Sequence, residues 1–229
     1  MMSTKDTIKY FMYKLGLRDT IPAQIINSVE INENNEPLVD IRLDDSIFFD
    51  SKLEQKKEIY VRQTVYEKLK KAQQYLPKGY NFKIFSAYRS LDEQKIIWEK
   101  KYNEIKSKYP DYTEEELTKE TKAYCADPRS GFGGHQTGGA IDIGLCDDNG
   151  KSYAMGTQHS ELSAKTRTNS TRLTIQENKN RHILLHALNK VGFKNYPAEW
   201  WHHSYGDRMW AAYSGKRKCI YGIAKIKDR

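Results

Sequence analysis

Residues 133–142 read GGHQTGGAID, and four of these ten residues are glycine. Glycine adopts backbone conformations that other residues avoid, and it lets the chain approach neighbouring groups closely. The stretch runs into an apolar segment, residues 140–145, whose composition and length predict a short strand. We therefore expect the glycine-rich loop to fold back beside this strand, so that His135 comes close to Asp142.

Asp142 lies inside the predicted strand, between Ile141 and Ile143. Strict alternation along a strand gives Asp142 the same face as Ala140 and Gly144, whose small side chains leave room around the carboxylate. A carboxylate on a half-buried strand is unfavourable unless it is paired or bound to a cation. The strand therefore indicates that Asp142 belongs to a polar or metal site.

A second segment, residues 197–203, reads PAEWWHH. Glu199 and His202 would point to opposite faces of a regular strand, but a turn at the two tryptophans would bring them into one pocket. Catalytic zinc takes three protein ligands from His, Asp, Glu or Cys and leaves one position for water. His135, Asp142 and His202 form such a set, and Glu199 remains as a general base for the water.

These residues by themselves leave a structural alternative open. A single histidine is more often a surface residue than a metal ligand, and tryptophans are more often core residues than the walls of a site. We assign the remaining histidines to the surface: His159, His182, His186 and His203.

Four segments together resemble the zinc D-alanyl-D-alanine peptidases. HQTGGAID (135–142) matches the pattern HxxGxAxD, and EWWH (199–202) matches ExWH. SAYRS (86–90) and AMGT (154–157) are similar to two further motifs of this family, which holds VanX-type dipeptidases and VanY-type carboxypeptidases. The likeness covers roughly residues 55–225, and motifs in the right order are far more specific than any one alone. The order and spacing of these four segments look closer to those of the dipeptidases than to those of the carboxypeptidases.

The resemblance implies one zinc ion per chain, held by His135, Asp142 and His202. It also implies that Glu199 is the catalytic base and that Arg89 stabilises the transition state. The fold it implies is α+β, of the D,D-peptidase/hedgehog-like kind, in which a small central antiparallel sheet carries the zinc site and helices flank it.

The sequence departs from the family pattern at two points. Gly133 stands where the first motif usually opens with serine, and no aspartate follows AMGT, where the dipeptidases place an anchor for the substrate ammonium group. Glu161 is the nearest acid, so we predict that it serves as the anchor; the alternative is that it is solvated in a Ser/Thr-rich loop. Ser160, Tyr88 and Trp201 complete the candidate substrate-binding residues.

Apolar spacing and helix-cap patterns predict the other elements. They are a long helix over 53–76, a strand over 80–84, helices after Ser90 and Thr113, a long exposed loop over 156–176, a helix over 181–191, and short strands and turns beyond it. We expect a single domain over residues 1–229, with residues 1–50 as an irregular segment packed on it.

Composition narrows the classes of function. The net charge is +8, but basic and acidic residues are mixed along the chain, so we do not expect nucleic-acid binding. No apolar run is long enough for a secretory signal or a membrane span, and the three cysteines are widely separated, which favours a cytoplasmic protein.

The predicted function is hydrolysis of D-alanyl-D-alanine to two D-alanines, in cell-wall precursor metabolism or glycopeptide resistance. Two alternatives stay open: a D,D-carboxypeptidase that acts on the end of a peptidoglycan stem peptide, and a peptidoglycan-binding module without activity. A binding module need not hold zinc, so a metal assay separates it from the two enzymes.

Overall fold

The computed structural model describes residues 3–130 and 133–226. Its helices and strands, in chain order, are α1 (Thr4–Lys14), α2 (Ala23–Asn27), β1 (Glu30–Ile31), β2 (Leu38–Asp40), β3 (Phe48–Phe49), α3 (Ser51–Glu54), β4 (Tyr60–Arg62), α4 (Gln63–Gln73), β5 (Asn81–Ser86), α5 (Leu91–Lys108), α6 (Glu114–Lys122), β6 (Ala140–Cys146), α7 (Ile175–Lys190), β7 (Lys194–Asn195), β8 (His202–Ser204), α8 (Arg208–Tyr213) and β9 (Lys218–Cys219). Short 3-10 turns cover Pro128–Ser130 and His135–Thr137.

The main sheet has five strands in the order β3-β5-β6-β8-β7. All neighbouring pairs are antiparallel except β3 and β5, which are parallel. Two smaller pairs lie apart from it: β1 with β9, and β2 with β4. The predicted α+β fold with a small, mainly antiparallel sheet is therefore confirmed.

The central strand β6 is buried along its whole length and separates the core from the site. Ile141, Ile143 and Leu145 belong to the main apolar core, to which α4 and α7 also contribute. Since side chains alternate along a strand, Asp142 faces the other way. Burial of the apolar face thus holds the carboxylate of Asp142 at a fixed height in the sheet.

Three helices begin at capping boxes, in which a Ser or Thr side chain and a Glu side chain satisfy each other's backbone amides. The pairs are Ser90 with Glu93, Thr113 with Glu116, and Thr174 with Glu177. The helices predicted after Ser90 and Thr113 are confirmed. The predicted helix 181–191 is confirmed too, but α7 begins earlier, at Ile175.

The predicted single helix over 53–76 is wrong. The chain forms α3, then β4, then α4 across this stretch. Val61 pairs with Val39 in the β2–β4 ladder, so a strand replaces the expected helical turns. Val61 on β4 and Val65 on α4 are both fully buried. Because they are four residues apart, their apolar spacing resembles that of one helix although it crosses from a strand into a helix.

The expectation that residues 1–50 are irregular is also wrong. Helix α1 begins at the N-cap Ser3, whose side chain accepts a hydrogen bond from the Asp6 backbone. Further along, β1 pairs with β9 near the other end of the described chain. Within residues 3–130 and 133–226, no helix combines the length and apolar character needed to cross a membrane.

Candidate active site

Asp142 lies at the centre of a cluster of imidazole rings. Its partner across the β6–β8 ladder is His202, and the Nδ1 atom of His202 is 3.0 Å from Asp142 Oδ1. The Nε2 atom of His135 is 3.4 Å from the same oxygen. The sheet register and the glycine-rich loop therefore bring together the three residues that the sequence predicts as metal ligands.

The His135 ring is oriented by a backbone carbonyl. Its Nδ1 atom is 2.9 Å from the carbonyl oxygen of Ala87, and a carbonyl can only accept, so Nδ1 carries the proton. The lone pair on Nε2 then faces Asp142. Metal-binding histidines commonly have this arrangement, in which the ring nitrogen away from the metal donates to a carbonyl or carboxylate.

Two glycines explain the composition of the loop. A Cβ atom on Gly134 would lie 2.4 Å from Asp207 Oδ2 and 2.7 Å from the Cβ of Ala140, so a side chain does not fit there. Gly138 ends the turn with φ of +69°, a conformation that other residues rarely adopt. The glycines thus let the loop pass close to β6 and turn sharply after His135.

The predicted turn between Glu199 and His202 is present. The Glu199 amide donates to the Tyr196 carbonyl at 2.9 Å, and the His202 amide donates to the Glu199 carbonyl at 3.3 Å. The side-chain amide of Asn195 donates to the carbonyls of Glu199 and His202, each at 3.0 Å. These bonds fold the chain so that Glu199 and His202 reach one cavity.

The three predicted ligands have the chemistry of a zinc site. One ligand atom from each of His135, Asp142 and His202 lies within 4.8 Å of the others. Two imidazoles and one carboxylate suit zinc and leave a coordination position open for water.

The ionisation of these groups follows from burial and from their mutual contacts. Burial alone would raise the pKa of Asp142, but the surrounding histidines outweigh it and hold this pKa well below its usual range. Burial lowers the pKa of His135. Burial opposes protonation of His202 as well, yet the hydrogen bond to Asp142 and its charge raise this pKa to about 9. Burial also raises the pKa of Glu199, which makes it a stronger base.

The cluster opens into a cavity of about 400 Å³, within the usual range for small-molecule sites. Most of the residues that the sequence predicts for the site line it. They are Arg89, His135, Asp142, Ser160, Glu199, Trp201 and His202.

Two predicted substrate-binding residues do not line this cavity. The Glu161 carboxylate accepts a hydrogen bond from the Gln158 amide at 2.9 Å and faces a neighbouring cavity. The Tyr88 hydroxyl donates to the Ala224 carbonyl at 3.1 Å. The structure therefore does not bring Glu161 or Tyr88 into the cavity of His135, Asp142 and His202.

Arg89 is held over the cavity by its neighbours. Its guanidinium donates to Gln94 Oε1 at 2.9 Å and to Ser86 Oγ at 3.0 Å, and its amide donates to the His135 carbonyl at 3.2 Å. Gln94 is buried and is itself fixed to the Ala126 carbonyl at 2.7 Å. The positive charge of Arg89 thus has a defined position beside the cluster.

Sequence reasoning missed several residues of the cavity. Tyr196 and Gln94 line it, and so do apolar side chains from distant segments: Ile21, Ile26, Leu162 and Met209. Ile21 and Ile26 come from the N-terminal segment that was expected to be irregular. No local pattern identifies these residues, because only the tertiary fold brings them to the cavity.

Of the four histidines that the sequence analysis assigns to the surface, His182 and His186 are exposed as predicted. The other two, His159 and His203, are not exposed. His203 is fully buried, because it alternates with His202 along β8 and so points to the other face. His159 contacts Asp142, with 3.1 Å between Nε2 and Oδ2. The loop that carries His159 is also less exposed than predicted, since Thr166 and Thr168 are buried in it.

Burial of His203 predicts a loss of stability in acid. Burial lowers the pKa of His203 to about 3, below the value of about 6.5 in an unfolded chain. As the pH falls below about 6.5, the unfolded chain therefore takes up a proton that the folded protein does not. We expect His203 to contribute a loss of about 1 kcal/mol in the free energy of unfolding between pH 6 and pH 5.

The measurement is urea denaturation of metal-free protein at pH 7, 6 and 5. His203→Gln should show a shallower fall in the free energy of unfolding than the unmodified protein, whatever its absolute stability. His186→Gln, which replaces an exposed histidine, is the matched control and should keep the original slope. Equal slopes for all three proteins would contradict the prediction.

A His–Asp–His cluster with a buried glutamate beside it is the set of side chains that metal-dependent hydrolysis requires. The family Peptidase_M15, described as D-ala-D-ala dipeptidase, matches residues 43–219. The chain belongs to this family.

Two curated relatives are named D-alanyl-D-alanine dipeptidase. The protein of Synechocystis sp. is 37% identical over 89 residues, which are 34% of this chain and 36% of the relative. The protein of Enterococcus faecalis is 29% identical over 135 residues, which are 56% of this chain and 64% of the relative. The matched region thus spans less than two thirds of the length of each.

Solved structures with a similar backbone arrangement include VanYB in complex with D-alanine-D-alanine. It has 16% identity and a TM-score of 0.47, over 82% of this chain and 93% of VanYB. The LD-carboxypeptidase LdcB has 24% identity and a TM-score of 0.45, over 80% of this chain and 78% of LdcB. At these values the likeness assigns no ligand or activity to this chain.

Proposed function

We propose that the protein is a zinc-dependent peptidase that hydrolyses the peptide bond of D-alanyl-D-alanine. The observation that carries the proposal is the set of His135, Asp142 and His202, with ligand atoms within 4.8 Å of one another and Glu199 lining the same cavity. These three side chains would hold one zinc ion, which lowers the pKa of a bound water toward about 7.

Glu199 and Arg89 perform the remaining chemistry. Glu199 accepts the proton of the attacking water and passes it to the nitrogen of the leaving D-alanine. Burial keeps its pKa raised, so the carboxylate holds the proton more firmly between the two transfers. Arg89 donates hydrogen bonds to the carbonyl oxygen of the scissile bond as negative charge develops there. Its contacts to Gln94 and Ser86 fix it before the substrate arrives.

Trp201 and Tyr196 form walls of the cavity. Trp201 is almost completely buried and lies beside the cluster in sequence and in space. Flat apolar surfaces of this kind suit the methyl groups of D-alanine and exclude bulk water from the reacting bond. The apolar side chains of the N-terminal segment extend the same surface.

A second candidate, D,D-carboxypeptidase activity on stem peptides, is favoured by one observation. Among the residues that the structure describes, the acids that line the cavity are Asp142 and Glu199, and both already have roles at the metal. A free dipeptide brings an ammonium group, which is costly to bury without an acidic partner. A stem peptide has an amide at that position and needs no such partner.

The experiment compares D-Ala-D-Ala with an N-acetylated tripeptide that ends in D-Ala-D-Ala, by measuring the D-alanine released. We expect Glu161→Gln to leave kcat/KM unchanged for both substrates, since the Glu161 carboxylate lies outside the cavity. A selective rise in KM for the free dipeptide, of about 10-fold or more, would instead support the ammonium anchor that the sequence predicts.

The same assay distinguishes the candidate functions. Cleavage of the free dipeptide alone supports the dipeptidase, and cleavage of the acetylated tripeptide alone supports the carboxypeptidase. Binding of stem peptide without release of D-alanine or uptake of zinc would support a non-catalytic module. A cytoplasmic location and a role in cell-wall precursor metabolism or glycopeptide resistance belong to this proposal as well.

A further inference from the structure

His159 makes a contact that divides the two oxygens of Asp142 between different partners. Its Nε2 atom is 3.1 Å from Asp142 Oδ2, while Oδ1 faces His135 and His202. A carboxylate that binds a metal is deprotonated, so both of its oxygens can only accept hydrogen bonds. His159 therefore donates its Nε2 proton to Oδ2.

The ring of His159 is held in place by aromatic neighbours. It stacks on Phe85, with 5.1 Å between ring centroids and 12° between planes. It meets Trp201 edge-on, with 5.5 Å between centroids. These contacts fix the plane of the imidazole. They restrict rotation of the His159 side chain, so its Nε2 atom stays directed at Asp142.

The loop that carries His159 is also anchored. The buried Arg181 donates to the carbonyls of Met155 and Lys165, each at 2.7 Å, and to the carbonyl of Thr168 at 3.1 Å. Arg181 thus ties the loop to α7 on both sides of His159. Backbone and ring contacts together hold the donor at a set distance from β6.

We propose that His159 is a positioning residue for the metal site: it binds Asp142 Oδ2 and so presents Oδ1 to the metal. The inference rests on the proposed function, since it requires that the cluster hold zinc. A hydrogen bond to the outer oxygen stops the carboxylate from rotating away from His135 and His202. Partners of this kind typically change metal affinity by about 10–100-fold when they are removed.

The test is zinc affinity, measured by competition with a chromophoric chelator at constant pH. His159→Phe keeps an aromatic ring between Phe85 and Trp201 but lacks the donor, and we expect its zinc Kd to rise by about 10–100-fold. His159→Gln keeps an N–H donor without the ring, and we expect it to recover most of the affinity. His182→Phe, an exposed site on α7, is the matched control and should bind zinc like the unmodified protein.

The zinc-binding measurements test the positioning role of His159 separately from the proposed zinc-dependent function. An unchanged Kd in His159→Phe, or an equal loss in the Phe and Gln variants, would overturn the positioning role, because neither follows from a lost hydrogen bond. Failure of the unmodified protein to bind zinc would overturn the proposed function and this inference with it. If His159→Phe does not fold, judged by circular dichroism of the metal-free form, His159→Leu supplies the variant without a donor.

Discussion

Glu199→Ala lowers kcat by about 10²–10⁴-fold and leaves zinc bound, which is the expected effect of removing a positioned general base. Glu199 lines the cavity beside the cluster but is not one of the three residues whose ligand atoms lie within 4.8 Å of one another. Its backbone is fixed by the turn from Tyr196, so the truncation removes a carboxylate without releasing the chain. The measurement is kcat for D-Ala-D-Ala together with zinc content by elemental analysis.

Two further variants test whether the loss of kcat comes from the lost basicity of Glu199. Glu199→Gln keeps the size of the side chain and removes its basicity, so its kcat should fall nearly as far. Glu115→Ala removes an exposed acid on α6 and should leave kcat unchanged. Loss of zinc from Glu199→Ala together with retention of zinc by His202→Ala would mean that the ligand and the base have been exchanged.

The parts of the fold that could be predicted from the sequence depend on local interactions. The capping box of Ser90 and Glu93 lies within four residues of chain, so its pattern predicts where α5 begins. Alternation on β6 is equally local: it predicts that Asp142 leaves the apolar face that Ile141 and Ile143 share. The turn before His202 is local as well, because the two residues that it brings to one pocket, Glu199 and His202, are only three positions apart.

The parts that could not be predicted depend on contacts between distant segments. Val61 joins a strand because Val39 lies opposite it, and helical spacing in residues 53–76 does not reveal that partner. His159 and Asp142 are 17 residues apart, and their contact depends on a loop that Arg181 anchors. In each case tertiary structure overrides the local pattern.

His203 shows a limit of another kind. The alternation that puts Asp142 into the site also sends His203 away from it once His202 is placed on β8. The sequence therefore contained the information, but it required knowing that this segment is a strand paired with β6. The preference of histidine for the surface is a statistical property, and it is a weaker argument than the alternation of side chains along a strand.

Loss of a metal ligand should have the other large effect. Apparent zinc-binding free energies of about 10–16 kcal/mol are shared by four ligands in structural sites, which is about 3 kcal/mol for each. We therefore expect His135→Ala to raise the zinc Kd by about 10²-fold, and activity at limiting zinc to fall in proportion. His135 is the best position for this test, because it lies in a short 3-10 turn rather than inside the sheet.

The unmodified protein should bind about one equivalent of zinc, lose its activity when a chelator removes the metal, and regain it when zinc is restored. His186→Ala, an exposed histidine on α7, is the matched control and should keep both zinc and activity. Excess zinc should restore part of the activity of His135→Ala, because Glu199 and Arg89 still line the cavity, but it should not rescue Glu199→Ala. Equal zinc affinity in His135→Ala and the unmodified protein would exclude His135 as a ligand, since a ring with its Nε2 lone pair on the metal cannot be removed without loss.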